Sequence, residues 1–174
     1  MTARRHVILM GLPGAGKTTA GSLAARQLGA PHVDIDVVIE RQTGKSVAEI
    51  FEREGEASFR RQERESLRQV LAGPPAIVTP GGGWAQHDPD FGPIRERACL
   101  ILLEVSPHTA ADRMAGKGKR PLLSGTSPMA TLAYLLEQRR PFYDLAHASV
   151  DTESQTPEAV ASSVVGLARQ HAGW

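Results

Sequence analysis

The 174-residue sequence has only one cysteine, Cys99, so no disulfide can form within one chain. Cys99 lies in an apolar run, which favours a buried thiol. Because the chain has no disulfide framework, we predict a cytoplasmic protein. Neither sign of charge is in excess, because 20 Lys and Arg residues stand against 19 Asp and Glu residues. A net charge of +1 provides no general attraction for nucleic acid, so we expect no nucleic-acid partner.

Long apolar runs are also absent. The first run follows Arg4 and Arg5 and ends at Gly11, which is too short for a signal-peptide core or a membrane span. We therefore expect a buried strand there and no membrane association. The sequence has no repeat, low-complexity tract or long linker, and its length suits one domain over residues 1–174.

Short apolar runs alternate with segments of helical character along the whole chain. Strands are predicted at 6–10, 32–35, 76–79, 98–105 and 148–150. Helices are predicted at 17–28, 37–43, 46–72 with a break at Gly55, from 107, from 128 to 139, and at 157–171. This alternation predicts an α/β fold with a mainly parallel sheet, whose ligands bind beyond the carboxyl ends of the strands.

Three local signals set helix ends in this prediction. Gly29 is placed to end the first helix, and Ser46-Val47-Ala48-Glu49 has the form of a capping box. Pro141 disfavours helical geometry at Arg140, so we expect the helix that begins at Pro128 to stop there.

The motif Gly11-Leu12-Pro13-Gly14-Ala15-Gly16-Lys17-Thr18 fits the phosphate-loop pattern G-x-x-x-x-G-K-[ST]. Its glycines let main-chain N–H groups point at phosphate oxygens, and the following helix presents its positive dipole end to them. Lys17 is expected to reach the β- and γ-phosphates, and the Thr18 hydroxyl to bind Mg²⁺. Thr19 either supports a phosphate or only starts the helix. ATP is expected to bind at Gly14, Ala15, Gly16, Lys17 and Thr18.

Asp34-Ile35-Asp36 places two carboxylates at positions i and i+2 of a strand, on one face. Two acids on one face need a cation or a donor to balance them. Mg²⁺ beside one and a substrate hydroxyl beside the other would do so. The alternative is that Asp36 only caps the following helix.

These residues resemble those of the shikimate kinase family, within the nucleoside-monophosphate-kinase-like group of P-loop proteins. The resemblance covers nearly the whole chain through an ordered set of motifs. They are Gly11–Thr18, Asp34–Asp36, Ile50-Phe51, Gly55-Glu56, Phe59–Glu63, Gly81–Gly83, Arg120–Leu123, Arg139–Tyr143 and Val150–Thr152.

The resemblance implies a three-layer α/β/α P-loop fold with a five-stranded parallel sheet. It implies a mobile lid at about 115–127 and a substrate-binding helical region at about 36–62. The implied reaction is ATP-dependent phosphoryl transfer to shikimate, giving 3-phosphoshikimate in aromatic amino-acid biosynthesis. ATP is then the co-substrate, Mg²⁺ the cofactor and shikimate the small carboxylate partner of a monomer.

On the acceptor side, the resemblance places Asp36 against the shikimate hydroxyls, where it accepts a proton. Arg60 and Arg139 fall on the two arginines that hold the substrate carboxylate, and a planar guanidinium suits that task. Glu63, three positions beyond Arg60, is expected to brace it. The same pocket is lined by Gly81, Gly82 and Gly83, whereas Phe51 and Phe59 either wall it or belong to the core.

On the nucleotide side, Arg120 falls on a lid arginine that reaches the phosphates, and Arg113 on the residue that stacks on adenine. Asp34 falls on an acid that helps to hold Mg²⁺, and Gln155 lies where the family places adenine. Asp36, Lys17 and Arg120 are then the catalytic residues. Lys117 and Lys119 either add positive field or are simply solvated.

Three departures from the family pattern and three alternatives stay open, and one departure is Pro80 before the glycines, which stiffens the chain there. Trp84 follows the glycines where small residues are usual, and it either leans into the core or reshapes the acceptor pocket. Residues 153–156 lack the arginines that some members carry. The alternatives are a gluconate-type kinase, a catalytically silent ligand sensor and a bare ATPase.

Overall fold

Five short strands form one parallel sheet in the computed structural model, which describes residues 3–115 and 127–174. The strands are β1 Val7–Met10, β2 His32–Asp34, β3 Ile77–Thr79, β4 Cys99–Glu104 and β5 Ala148–Asp151. Their order in the sheet is β2-β3-β1-β4-β5, and every neighbouring pair is parallel. β1 is central, with Val7 opposite Ile77 on one side and Cys99 on the other.

Helices flank this sheet, which confirms the predicted five-stranded parallel fold. In the described residues they are α1 Lys17–Leu28, α2 Ile35–Thr43, α3 Val47–Glu54, α4 Glu56–Leu71, α5 Trp84–His87, α6 Phe91–Arg97, α7 Pro107–Met114, α8 Pro128–Tyr143 and α9 Pro157–Ala172. All four residues of β1 are buried, as expected for a strand covered by helices on both faces. The part of the predicted lid at residues 116–126 lies outside the described residues.

Local capping signals fix several helix ends as predicted. Gly29 ends α1 in the left-handed region, with φ 61°. The Ser46 hydroxyl accepts from the Glu49 N–H at 3.2 Å, and the Glu49 carboxylate accepts from the Ser46 N–H at 2.8 Å. This capping box starts α3, as the four residues Ser46–Glu49 alone had predicted.

The predicted stop of α8 at Arg140 is wrong, because the helix continues through Pro141 to Tyr143. Proline inside a helix costs about 3 kcal/mol through its missing N–H and its ring clash. Tertiary packing of the residues after Pro141 offsets this cost. Tyr143 has only 4% of its surface exposed, and the Phe142 and Phe91 rings pack edge-on with centroids 5.5 Å apart. Burial of these two aromatic rings therefore overrides the local preference.

The predicted strand at 32–35 is one residue too long, and this changes the place of both acids. β2 ends at Asp34, which caps α2 by accepting from the N–H groups of Asp36 at 3.0 Å and Val37 at 3.4 Å. Asp36 lies in the first turn of α2, so the two carboxylates do not share a strand face. The capping residue is Asp34, not Asp36, because its side chain satisfies the first free amides of the helix.

Two helices, α5 and α6, were not predicted from the sequence. Both are short, and α6 contains Gly92 and Pro93, which weaken any helical signal. Their burial explains them: Trp84 of α5 and Phe91 of α6 pack at a centroid distance of 5.4 Å. Tertiary contacts, not local propensity, hold these segments helical.

We expect Pro141→Ala to stabilise the protein by about 1–2 kcal/mol. Alanine restores an N–H for the helix and removes the ring clash, together about 3 kcal/mol, against a gain of about 1 kcal/mol in unfolded-chain entropy. Pro141 is exposed, so no packing is lost. Urea unfolding followed by circular dichroism measures the change.

The matched control is Pro128→Ala at the start of the same helix, where the proline N–H is not needed. We expect Pro128→Ala to be neutral or to destabilise by up to about 1 kcal/mol. Equal destabilisation by both substitutions would contradict this account of α8.

Candidate active site

The loop between β1 and α1 curls around open space in front of the helix. Gly14 has φ 84°, and an ideal Cβ there would lie 2.6 Å from the Ala110 carbonyl oxygen, so only glycine fits. Gly16 has φ 88° and precedes Lys17, and a Cβ built on it would meet nothing within 4 Å. The first amides of α1 therefore face open space that suits an anion.

Lys17 folds back over this loop. Its ammonium group donates to the carbonyl oxygens of Gly11 at 2.8 Å and Leu12 at 3.0 Å. These bonds hold the charge beside the open space in front of α1, within the reach expected for a phosphate-binding lysine.

Thr18 and Asp34 meet at the end of β2. The Thr18 hydroxyl donates to Asp34 Oδ2 at 2.7 Å, while Asp34 Oδ1 caps α2. The pair thus presents a hydroxyl and a carboxylate oxygen from two elements. Oxygen donors of this kind, few in number, suit Mg²⁺, which keeps waters and phosphate oxygens as its other ligands.

Arg113 bridges the phosphate loop and the segment after β5. Its guanidinium donates to the Thr152 carbonyl at 2.5 Å, to the Thr152 hydroxyl at 3.0 Å and to the Gly14 carbonyl at 3.4 Å. Gln155 is held nearby by a bond from its side-chain amide to the Asp151 carbonyl at 2.6 Å. These bonds fix the two side chains expected near adenine.

A cavity of about 380 Å³ joins the regions predicted to hold the nucleotide and the acceptor. The phosphate loop, the Thr18–Asp34 pair and the Arg113 region line it from one side, and Asp36 and the first two glycines of the triplet from the other. The site residues that line it are Gly14, Ala15, Gly16, Lys17, Thr18, Thr19, Asp34, Asp36, Gly81, Gly82, Arg113 and Gln155.

A second cavity, of about 390 Å³, includes Leu12 in its wall and is mainly acidic. Its wall includes Glu104, Asp151 and Glu153. The Ser106 N–H and the hydroxyls of Thr109 and Ser106 hold the pKa of Glu153 at about 2, so this carboxylate stays ionised. Among the described residues, four carboxylates of the second cavity stand against one cation, Arg140, whereas the first cavity has Lys17 and Arg113 beside its two carboxylates. The first cavity is therefore the one suited to the polyanion ATP.

Arg139 is a buried guanidinium with few partners. Only 2% of the residue is exposed, and Nε and Nη1 have no hydrogen-bond partner in the described residues. Tyr143 is its neutral neighbour: burial raises the pKa of the Tyr143 phenol, and the Arg139 charge and hydrogen bond oppose that rise. A buried cation without a counter-charge is costly, so this position favours an anionic ligand.

Arg60 is braced by two carboxylates of its own helix, α4. Nη1 donates to Glu63 Oε2 at 2.7 Å, and Nη2 donates to Glu56 Oε1 at 3.1 Å. Burial raises the pKa of Glu63, while the Arg60 charge acts against that rise. Glu63 Oε1 also accepts from the Gly81 N–H at 3.1 Å. The predicted brace is therefore present, and it ties Arg60 to the glycine triplet.

The glycine triplet lies against both guanidinium groups. An ideal Cβ on Gly83 would lie 2.7 Å from Arg60 Nη2 and 2.9 Å from Arg139 Nη2. One on Gly82 would lie 2.8 Å from Arg139 Nη1 and 3.0 Å from the Gly11 carbonyl oxygen. The absence of side chains lets the two arginines approach one backbone segment beside the phosphate loop.

Asp36 reaches the same region from α2. Its Oδ1 lies 3.8 Å from the position of a Cβ on Gly81. The structure therefore brings together a carboxylate, two guanidinium groups and a phosphate loop, from segments far apart in the sequence. Arg120, the remaining predicted catalytic residue, lies outside the described residues.

Trp84 leans into the core, with 2% exposure and its ring against Phe91. Of its two interpretations, core packing is the one that the structure supports. The Phe51 and Phe59 rings also pack together, with centroids 4.8 Å apart.

The family motifs in the sequence include Glu56, Tyr143 and Thr152, but their contacts in this region, and that of His87, were not predicted. Glu56 could have been found by its i, i+4 spacing to Arg60. Spacing in the sequence could not indicate the contacts of Tyr143, Thr152 and His87, since each of these residues meets its partner only through the tertiary fold. Tyr143 donates to the Gly82 carbonyl at 3.2 Å and so joins α8 to the triplet.

Comparison with known proteins gives a consistent result. The sequence profile of the shikimate kinase family matches residues 13–168. The chain is 38% identical to shikimate kinase of Symbiobacterium thermophilum, over 92% of this chain and 94% of that protein. It is 40% identical to shikimate kinase of Thermobifida fusca, over 94% and 95% of the two chains.

A solved structure agrees with these relatives. Shikimate kinase from Acinetobacter baumannii, in complex with shikimate, superposes with a TM-score of 0.87. The two chains are 32% identical, and the match covers 96% of this chain and 94% of that one.

We expect Arg139→Met to stabilise the ligand-free protein by about 1–3 kcal/mol, because it replaces a buried, poorly paired charge with an apolar side chain of similar length. Arg140→Met is the matched control, since Arg140 is the exposed neighbour, and we expect a change within about 0.5 kcal/mol. Thermal and urea unfolding of both variants measure the difference. Strong destabilisation by Arg139→Met would contradict the unpaired-charge account.

Proposed function

This chain belongs to the shikimate kinase family, and we propose that it transfers the γ-phosphoryl group of ATP to shikimate, giving ADP and 3-phosphoshikimate for aromatic amino-acid biosynthesis. The observation that carries the proposal is the convergence of Arg60 and Arg139 on Gly83, beside a cavity that reaches the phosphate loop. One kinase domain over residues 1–174 holds both substrates.

The acceptor carboxylate is assigned to the two guanidinium groups. Each can donate charge-assisted hydrogen bonds, worth about 1.5–3 kcal/mol apiece. The burial of Arg139 supports this role, because two of its nitrogens have no partner among the described residues and a substrate carboxylate supplies the negative charge they need. The triplet Gly81–Gly83 forms one wall of this pocket, and residues 36–62 contribute the helices that complete it.

Asp36 is assigned as the group that orients the attacking hydroxyl and takes its proton. Its position supports this, since it lines the cavity between the glycine triplet and the phosphate loop. A general base of this kind contributes about 10²–10⁴-fold to the rate.

The nucleotide is assigned to the phosphate loop, with amides of Gly14, Ala15 and Gly16 around the β-phosphate and Lys17 between the β- and γ-phosphates. The Thr19 hydroxyl adds a phosphate contact. Arg113 and Gln155 flank the adenine. Arg120 is assigned to the transferring phosphoryl group by the family resemblance alone.

Mg²⁺ is proposed as the cofactor, held by the Thr18 hydroxyl and near the Asp34 carboxylate. Their 2.7 Å contact supports this, because both are oxygen donors at the edge of the phosphate site. When bound with ATP, Mg²⁺ neutralises charge on the β- and γ-phosphate oxygens.

We place the enzyme in the cytoplasm as a monomer that works without nucleic acid or membrane. The single free Cys99 is buried in β4, which suits a protein that does not use disulfides. No helix in the described part of the chain is long and apolar enough to cross a membrane.

The direct test is turnover of ATP, Mg²⁺ and shikimate by the full chain, with ADP release coupled to a dye and the product identified by mass. Asp36→Asn should lower kcat by about 10²–10⁴-fold while ATP still binds, because the proton acceptor is lost. Asp112→Asn, at an exposed carboxylate of α7, is the control and should stay near the parent rate.

Each alternative predicts a different result in the same assay. A gluconate-type kinase phosphorylates gluconate in preference to shikimate, and a bare ATPase releases ADP regardless of acceptor. A ligand sensor binds shikimate without turnover. Near-normal turnover by Asp36→Asn would remove Asp36 from its assigned role.

We expect Gly83→Ala to raise the KM for shikimate by about 10–100-fold and to leave the KM for ATP unchanged. The backbone accepts alanine, since φ is −94°, but its Cβ would displace both guanidinium groups. Loss of one charged hydrogen bond accounts for this range. Gly92→Ala is the control, because a Cβ there meets nothing within 4 Å. An unchanged KM in Gly83→Ala would argue against convergence of the arginines on the acceptor.

A further inference from the structure

His87 faces the brace of Arg60 from the end of α5, four residues after Gly83. Its Nε2 lies 3.8 Å from Glu56 Oε1. The same oxygen accepts from Arg60 Nε at 3.3 Å and Nη2 at 3.1 Å. One carboxylate oxygen therefore lies between an imidazole and the arginine assigned to the acceptor. At 3.8 Å the imidazole makes no direct hydrogen bond, and its attraction to Glu56 depends on carrying a proton.

The charges that surround His87 come from two helices. Burial is the largest cause and lowers the pKa of the His87 imidazole. The positive charges of Arg60 in α4 and Arg139 in α8 also lower this pKa, whereas the Glu56 carboxylate of α4 raises it. The His87 side chain is 38% exposed, so it exchanges protons freely with solvent. Among the described residues, two cations thus oppose the imidazolium and one carboxylate supports it.

A bound acceptor carboxylate changes this balance. It adds a negative charge beside Arg60 and Arg139, which are the two groups that oppose protonation of His87. The surroundings of His87 then favour its protonated form, and the imidazolium attracts the Glu56 carboxylate. Arg60 at the same time directs its remaining N–H groups to the ligand.

We propose that His87 is a positioning residue for the acceptor: it takes up a proton when the acceptor carboxylate binds, and as an imidazolium it steadies the Glu56–Arg60 pair that grips that carboxylate. This inference rests on the proposed function, because it needs an anionic acceptor at Arg60 and Arg139. It adds His87 of α5, whose contact with Glu56 forms only through the tertiary fold.

The direction of the pH effect follows from linkage. If the pKa of His87 is higher in the bound state than in the free state, binding takes up protons and is tighter at low pH. Affinity then falls as the pH rises from the free-state pKa through the bound-state pKa and levels off above it. A difference of one pKa unit gives about a tenfold change in affinity.

The test measures KM for shikimate and kcat at saturating ATP between pH 5.5 and pH 8.5 in three proteins. They are the parent enzyme, His87→Gln and His108→Gln. His108 is the matched control, because it is an exposed histidine 3.2 Å from Asp112 in a similar pair on α7. We expect the KM of the parent and of His108→Gln to rise by about 3–10-fold with pH. For His87→Gln we expect a flat KM, with the pH profile of kcat unchanged in all three.

Calorimetry of shikimate binding without ATP supplies an independent readout. Titrations near pH 6.5 in buffers of different ionisation enthalpy should show net proton uptake by the parent and none by His87→Gln. Thermal unfolding of His87→Gln should match the parent, which separates positioning from folding.

The possible failures are distinct. Absence of shikimate turnover in the parent at every pH would overturn the proposed function. Normal turnover, with the parental pH dependence of KM and the parental proton uptake retained in His87→Gln, would overturn the role of His87 alone.

Discussion

The buried charge of Arg139 is the constraint on which the proposed acceptor site depends. The fold encloses this guanidinium and leaves two of its nitrogens without partners among the described residues. Such a charge lowers stability until an anion arrives. Arg60, by contrast, is held by Glu56 and Glu63. Arg139 therefore has a charge without a counter-charge among the described residues, and Arg60 has a fixed position. The proposed binding of a substrate carboxylate to both arginines uses the two properties together.

The sheet explains how these groups reach the phosphate loop. β1 and β3 are parallel neighbours, so the loop after β1 and the glycine triplet after β3 emerge at one edge. The triplet carries no side chains, and Arg139 and the Gly11 carbonyl oxygen therefore both lie against Gly82. The cavity beside the phosphate loop is lined by Gly81 and Gly82 of this triplet, so the proposed acceptor site adjoins the proposed phosphate site.

Features encoded by a few neighbouring residues could be predicted from the sequence, and features that depend on packing could not. The phosphate loop, the capping box at Ser46 and the end of α1 at Gly29 are local and were correct. The end of α8 was wrong, because burial of Phe142 and Tyr143 outweighs Pro141. The family resemblance selected Arg60 and Arg139 rather than their sequence neighbours Arg61 and Arg140, because local spacing does not show which side chain the tertiary fold turns inward.

The measurement that tests the central claim most directly compares shikimate with its methyl ester as acceptors in the same ATP-dependent assay. The ester keeps the ring and hydroxyls but removes the anion. If Arg60 and Arg139 clasp the carboxylate, loss of two charged hydrogen bonds should lower kcat/KM by about 10²–10⁴-fold. Equal kcat/KM for the acid and the ester would contradict the account.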